Sequence, residues 1–147
     1  MRRFLHAHVA SFESIEQVNR GRAVTGRVFK FAIVGGTGGI VNISVLYMLS
    51  QWAALPIVAA SILAVELATI SNYFFNDTWT FGTRSPSLSR FAKFNSASVV
   101  GLTLNVLCVW LLTRLSLSLL LANLIGITAG FAVNYTFSTG WVWAKHA

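Results

Sequence analysis

Glu66 is the residue with the most chemistry to offer, because it is the acid that falls inside an apolar run. Glu66, Thr69, Tyr73 and Asn76 follow one another at intervals of three or four, which places them along one face of a helix, with Asn72 beside it. Carrying an ionised carboxylate into a bilayer costs about 2.5–3.5 kcal/mol on insertion scales, so Glu66 is expected to face the protein interior, partnered or protonated. Such a group could couple transport to protons or substrate, or simply hydrogen-bond a facing Asn or Ser. Asn42, Asn72, Asn105 and Asn134 add amides that could bond helix to helix or contact a substrate. Interhelical amide bonds contribute only about 0.6 kcal/mol each in membranes. His6, His8 and His146 stand in the terminal tails without an acid or nucleophile at triad or metal spacing. No catalytic residue, metal site or cofactor is expected, and an enzyme is not.

The elements that position these residues are membrane helices. Of 147 residues, 55% are hydrophobic and 10% charged, and mean hydropathy is +0.67. Soluble proteins carry about 25% charged residues. Apolar runs approach the roughly 20 residues that cross a bilayer and are expected at about 31–50, 57–75, 94–113 and 118–137. The net charge of +7 lies at the ends of these runs, which argues against nucleic acid as a partner. Arg2 to Lys30, then Arg84, Arg90 and Lys93, then Lys145, place both termini and the central loop on the cytoplasmic side. Residues 1–26 read as a basic segment, either amphipathic through Leu5, Val9, Phe12, Ile15 and Val18 or a disordered tail. Cys108, inside the third run, is expected to pack.

The four-span region, 27–147, is one unit written twice, over about 27–81 and 90–143. Asn72-Tyr-Phe-Phe-Asn76-Asp77-Thr-Trp79-Thr-Phe81 returns as Asn134-Tyr-Thr-Phe-Ser138-Thr139-Gly-Trp141-Val-Trp143. Upstream, Arg27, Lys30, Phe31, Gly38 and Asn42 are echoed by Arg90, Lys93, Phe94, Gly101 and Asn105. Each copy crosses twice, so the pseudo-two-fold axis is expected along the membrane normal. Gly35 and Gly39 form a G-x-x-x-G step, and Gly126 and Gly130 repeat the spacing, both expected at tight helix contacts. Each span carries a small-or-polar face, and all four faces are expected to meet in the bundle interior. Trp79, Phe81, Trp141 and Trp143 are expected at the inner membrane interface.

Phe31-Ala-Ile-Val-Gly35-Gly36 with Asn42, together with the Asn72–Phe81 motif, resembles the GtrA-like, or teichoic-acid glycosylation, family over about 27–143. The resemblance implies a small bacterial inner-membrane protein of surface-polysaccharide synthesis. Its implied task is to translocate or handle a sugar carried on polyprenyl phosphate. The alternatives are a non-transporting anchor or regulator of a membrane glycosyltransferase, and a small proton-coupled exporter using Glu66. Asn42, Glu66, Asn72, Asn76, Asn105 and Asn134 are the candidates for sugar contact. Arg27, Lys30, Arg84, Arg90 and Lys93 are the candidates for the phosphate or a lipid headgroup. A homodimer would widen so narrow a bundle. The sequence departs from the family in carrying Asp77 where a basic residue is usual, with Ser138-Thr139 in the second copy. Arg84, Arg90 or Lys93 would then have to supply that phosphate contact.

Overall fold

In the computed structural model the backbone is described for residues 2–146, and side chains for 16–146 apart from Arg20. The apolar face expected of Leu5, Val9, Phe12 and Ile15, and the side chains of His6 and His8, lie outside the described residues. The described fold is all-helical: α1 (Arg2–Tyr47), α2 (Ile57–Phe75), α3 (Leu88–Arg114) and α4 (Leu119–Phe137). Each of the four has the length and apolarity to cross a membrane. Pro56 precedes α2, where its missing N–H costs nothing. The Ser118 hydroxyl caps α4 by accepting the Leu121 N–H at 3.4 Å. α3 starts at Leu88, so Arg90 and Lys93 stand on its first turns rather than in a loop. Gly82 breaks the chain before it at φ +62°, a conformation that favours glycine.

Three of the four helices do not end cleanly. They widen into π-helical turns at Met48–Trp52, Asn76–Thr80 and Ser138–Val142. The two motif turns close identically: Phe81 N–H donates to the Asn76 carbonyl and Trp143 N–H to the Ser138 carbonyl, both at 2.9 Å. Such wide turns are rare and gather at functional sites.

Small side chains decide the pairing. α1 packs along α2 and α3 along α4, making two hairpins. The buried face of each returning helix is a stripe four residues apart, Ala60-Ala64-Ala68 in α2 and Ala122-Gly126-Gly130 in α4. Opposite lie Phe31, Val34 and Gly38 on α1, and Phe94, Ala97 and Gly101 on α3, in equivalent repeat positions. At the α3–α4 crossing a Cβ on Gly101 would meet the Gly130 carbonyl oxygen at 2.8 Å, and one on Gly130 the Gly101 oxygen at 2.6 Å. The backbones touch, as tight packing without a hydrophobic drive requires.

The expected Gly35–Gly39 contact is not formed. Both are exposed, and a Cβ on either would meet nothing within 4 Å. Phe31, Val34 and Gly38 own the buried face, and Gly35 and Gly39 are rotated about 100° from it. Nor do the four polar faces meet along the bundle. α2 and α3, like α1 and α4, share only short contacts. The hairpins are joined at the motif end, by a core of Phe31, Tyr73, Phe81, Phe94, Ala97, Val142 and Trp143.

Candidate functional site

That core is an aromatic stack crossing the repeat boundary. Phe81 and Trp143, equivalent residues of the two copies, lie parallel at 4.3 Å between centroids and 6° between planes. Phe31 packs edge-on to Phe81 at 6.4 Å and to Tyr135 at 5.3 Å. Its counterpart Phe94 packs on Trp143 at 5.5 Å and on Tyr73 at 6.1 Å. Phe81 and Trp143 are therefore interior residues rather than the interfacial belt their type implied. Trp79 and Trp141 remain partly exposed, and each carries a lysine over its ring: Lys30 and Lys93, both at 5.5 Å.

Asp77 sits within this end of the protein, fully buried on the π-turn Asn76–Thr80. Its charge is met from three sides. Arg90 Nε donates to Oδ1 at 2.8 Å and Arg90 Nη2 to Oδ2 at 3.3 Å. The indole N–H of Trp143 reaches Oδ1 at 2.8 Å, and the Thr83 hydroxyl donates to Oδ2. Arg90 also reaches the Ser85 carbonyl, which ties the loop after Gly82 to α3. A buried ion pair stabilises only when its remaining polar atoms are satisfied, and here both carboxylate oxygens are. This network joins the first copy's motif to α3 and the closing motif of the second. Sequence reading missed it: the partners are 13 and 66 residues apart in the chain, and no local pattern links them.

Cations gather around it. Arg90, Lys93, Trp141, Lys145 and His146 line a cavity of about 380 Å³. Thr83, Arg84, Ser85, Arg90 and His146 line another of about 320 Å³. Arg90 and His146 belong to both, which gives His146 a place that its position in the tail had not implied. Arg90, one candidate for the family's missing phosphate contact, is engaged by Asp77, while its side chain keeps 21% exposure. At the end of the loop 82–87, Ile70, Tyr73, Phe74, Pro86, Leu88 and Phe91 line an apolar hollow of about 360 Å³. The Tyr73 hydroxyl there donates to the Ser87 carbonyl and accepts the Ser87 N–H, both at 2.8 Å. Lys30 donates to the Trp79 carbonyl at 3.3 Å. Arg27 is half-buried and makes no hydrogen bond or ion pair among the described residues. Neither Arg27 nor Lys30 lines these two cavities, so the five expected phosphate ligands do not form one rim.

The candidate sugar-contact residues are also separated. Asn76 is buried and accepts the Thr80 hydroxyl at 2.9 Å. Asn72 lies over Gly38, its Oδ1 buried without a partner among the described residues. Asn134 donates to Ser98 at 3.5 Å and accepts from Ser138 at 3.4 Å. With Asn105 it lines a hollow of about 150 Å³ between α3 and α4. Asn42 is half-buried on α1. Glu66 does not face the interior. It is exposed, and it makes no hydrogen bond or ion pair among the described residues. The reason is the Ala60-Ala64-Ala68 stripe, which takes the contact face and turns Glu66 away. Tyr73, nearly in line with Glu66, is buried only because the hairpins meet at its level.

Residues 30–143 match the family described as the GtrA/DPMS transmembrane domain. The chain belongs to that family. Over 120 residues it is 38% identical to a dolichol-phosphate mannosyltransferase of Pyrococcus furiosus, covering 80% of this chain but 34% of that protein. The chain thus spans about a third of the curated relative it matches. The matched range takes in both closing motifs and the whole aromatic stack, with Arg84, Arg90 and Lys93, while Lys145 and His146 lie just beyond it.

Proposed function

We propose that this GtrA/DPMS-family chain handles a polyprenyl-phosphate-linked sugar, holding the phosphate at the cationic end while the prenyl chain stays in lipid. The observation that carries the reading is one juxtaposition. Two cationic cavities share Arg90, one of them lined by the first part of the loop 82–87, and an apolar hollow is lined by the last part of the same loop. An amphiphile with an anionic head suits that arrangement: cations near a membrane surface gain about 1 kcal/mol each from anionic lipid, and the hollow accepts the first isoprene units. The relative's name joins dolichol phosphate to a transferase, which supports the same ligand class. To this domain we assign presentation of the carrier to a membrane glycosyltransferase. The positive-inside rule supports a cytoplasmic cationic end, and a bacterial inner membrane accords with the family resemblance.

A second reading, translocation of the carrier between leaflets, draws support from the polar hollow of Ser98, Asn105 and Asn134. It would give a sugar hydrogen-bonding partners within the span. The exporter reading draws none from Glu66, which is turned away from the helix contacts. Reconstitution into liposomes carrying a polyprenyl-phosphate sugar tests both readings. Specific retention of the carrier, lost on Lys93→Gln with Lys145→Gln, supports holding. Movement of sugar to the opposite leaflet, lost on Asn105→Leu, supports translocation. Retention no greater than in protein-free liposomes refutes both.

A further inference from the structure

We infer that Arg27, with the hydroxyl of Tyr135, forms a phosphate-monoester or diester site at the place where the second copy of the repeat has no carboxylate. It rests on the ligand class of the proposed function and adds a phosphate position outside the two cavities joined at Arg90.

The argument comes from the pseudo-two-fold relation. Contact after contact at the motif end occurs twice. Lys30 over Trp79 is matched by Lys93 over Trp141 at the same 5.5 Å. Phe31 on Phe81 and Tyr135 is matched by Phe94 on Trp143 and Tyr73. Arg27 lies one helical turn before Phe31, whose ring packs on Tyr135 at 5.3 Å, as Arg90 lies one turn before Phe94, whose ring packs on Tyr73 at 6.1 Å. Arg27 therefore stands to the second copy as Arg90 stands to the first.

One contact is not repeated. Arg90 pairs with Asp77; the residue corresponding to Asp77 is Thr139, whose hydroxyl is turned back to the Tyr135 and Thr136 carbonyls at 3.0 and 3.1 Å. The supporting donor has gone as well. Trp143 gives its indole N–H to Asp77, whereas its counterpart Phe81 has none to give. The Tyr73 hydroxyl is saturated by Ser87, whereas that of Tyr135 makes no hydrogen bond among the described residues. The second copy thus lacks the acid and the indole that fixes it, yet has the arginine and a phenol without a hydrogen bond among the described residues. An arginine without its acid, half-buried beside a free hydroxyl, has the donor fork that recognises a phosphate in two-pronged fashion. The ligand oxygens take the part that Asp77 plays for Arg90.

Putting the acid back is the test. Thr139→Asp should pair with Arg27 and displace the phosphate. Protein in phosphatidylcholine nanodiscs would be offered a polyprenyl monophosphate, with bound lipid counted by native mass spectrometry. Wild type should bind, Arg27→Lys should keep part of the binding, and Arg27→Gln and Thr139→Asp should each lose at least tenfold. Thr139→Asn, of the same size without the charge, should bind as wild type. Thr139→Asp should also melt at a higher temperature than Thr139→Asn, as a second ion pair forms. If inorganic phosphate displaces the lipid with the same dependence on Arg27, the site stands and also takes the free anion. Wild-type binding by both folded Arg27→Gln and folded Thr139→Asp would overturn the assignment. If Lys93→Gln and Lys145→Gln then remove the lipid instead, the carrier-handling reading survives while this site falls. If wild type itself takes up no polyprenyl monophosphate, both fall.

Discussion

Removing Arg90 should harm the protein more than removing Asp77, although the two form one ion pair. Asp77 is fully buried, whereas the Arg90 side chain is 21% exposed. In Arg90→Ala the carboxylate is stranded without water, with only Trp143 and Thr83 donating to it. Breaking a buried pair in this way costs about 3–5 kcal/mol, and the two surviving donors favour the lower end, about 3 kcal/mol. In Asp77→Ala the guanidinium keeps the Ser85 carbonyl and its path to water, so its own loss is small, about 0–1 kcal/mol. The Trp143 N–H is orphaned at a further cost of about 1–2 kcal/mol. The expected order is therefore Arg90→Ala worse than Asp77→Ala by about 1 kcal/mol, with the difference produced by a trapped charge. Neutralising the charge should rescue: in an Asp77→Asn background, Arg90→Ala should cost about 1 kcal/mol or less. Reversible unfolding in mixed micelles, run as a double-mutant cycle, reads all four proteins. An equal cost for Arg90→Ala with Asp77 and with Asn at that position would show that a stranded carboxylate is not what Arg90 prevents.

Three further outcomes are expected. Gly101→Ala and Gly130→Ala, where a carbonyl oxygen blocks the new methyl, should each destabilise by about 1–3 kcal/mol. Gly35→Ala and Gly39→Ala, with open space around them, should be neutral or stabilise by up to about 1 kcal/mol through helix propensity; thermal melting in detergent separates the two groups. Trp143→Ala should cost about 3–5 kcal/mol, and Trp143→Phe should recover the packing while losing the bond to Asp77, which the same melting series would register. Glu66→Gln, at an exposed position, should leave stability within about 0.5 kcal/mol of wild type; a large loss would mean that Glu66 has a partner in the folded protein.

The span count and the duplicated motif were legible because both are local: apolar run length and recurring residue types are printed in the chain order. So was the closeness of Gly126 and Gly130 to their neighbours. The choice of contact face on α2 was not. A stripe of alanines looks like filler beside Glu66, yet alanine lets helices approach while a carboxylate does not. Gly35 and Gly39 misled for the converse reason, since a spacing that permits close approach does not create a partner. Phe81 and Trp143 were read as interfacial because residue type alone gives no depth. Asp77 looked like a departure from a basic family position. In the structure it is the acceptor around which a cation, an indole and a hydroxyl converge.

The bond from Trp143 to Asp77 spans 66 residues, and this has a consequence for biogenesis. The ribosome makes Asp77 first, then Arg90, and Trp143 only after α4. While the first hairpin waits in the membrane, its closing turn carries a carboxylate that no group of that hairpin neutralises. Arg90 arrives with the start of α3, but the indole arrives only when the last crossing is made. The assembly order is thereby set: each hairpin can zip on its own small residues, and the sealing of the motif end is the final event. A nascent chain halted before α4 would hold Asp77 through Arg90 and Thr83 alone, without the indole that closes its third side.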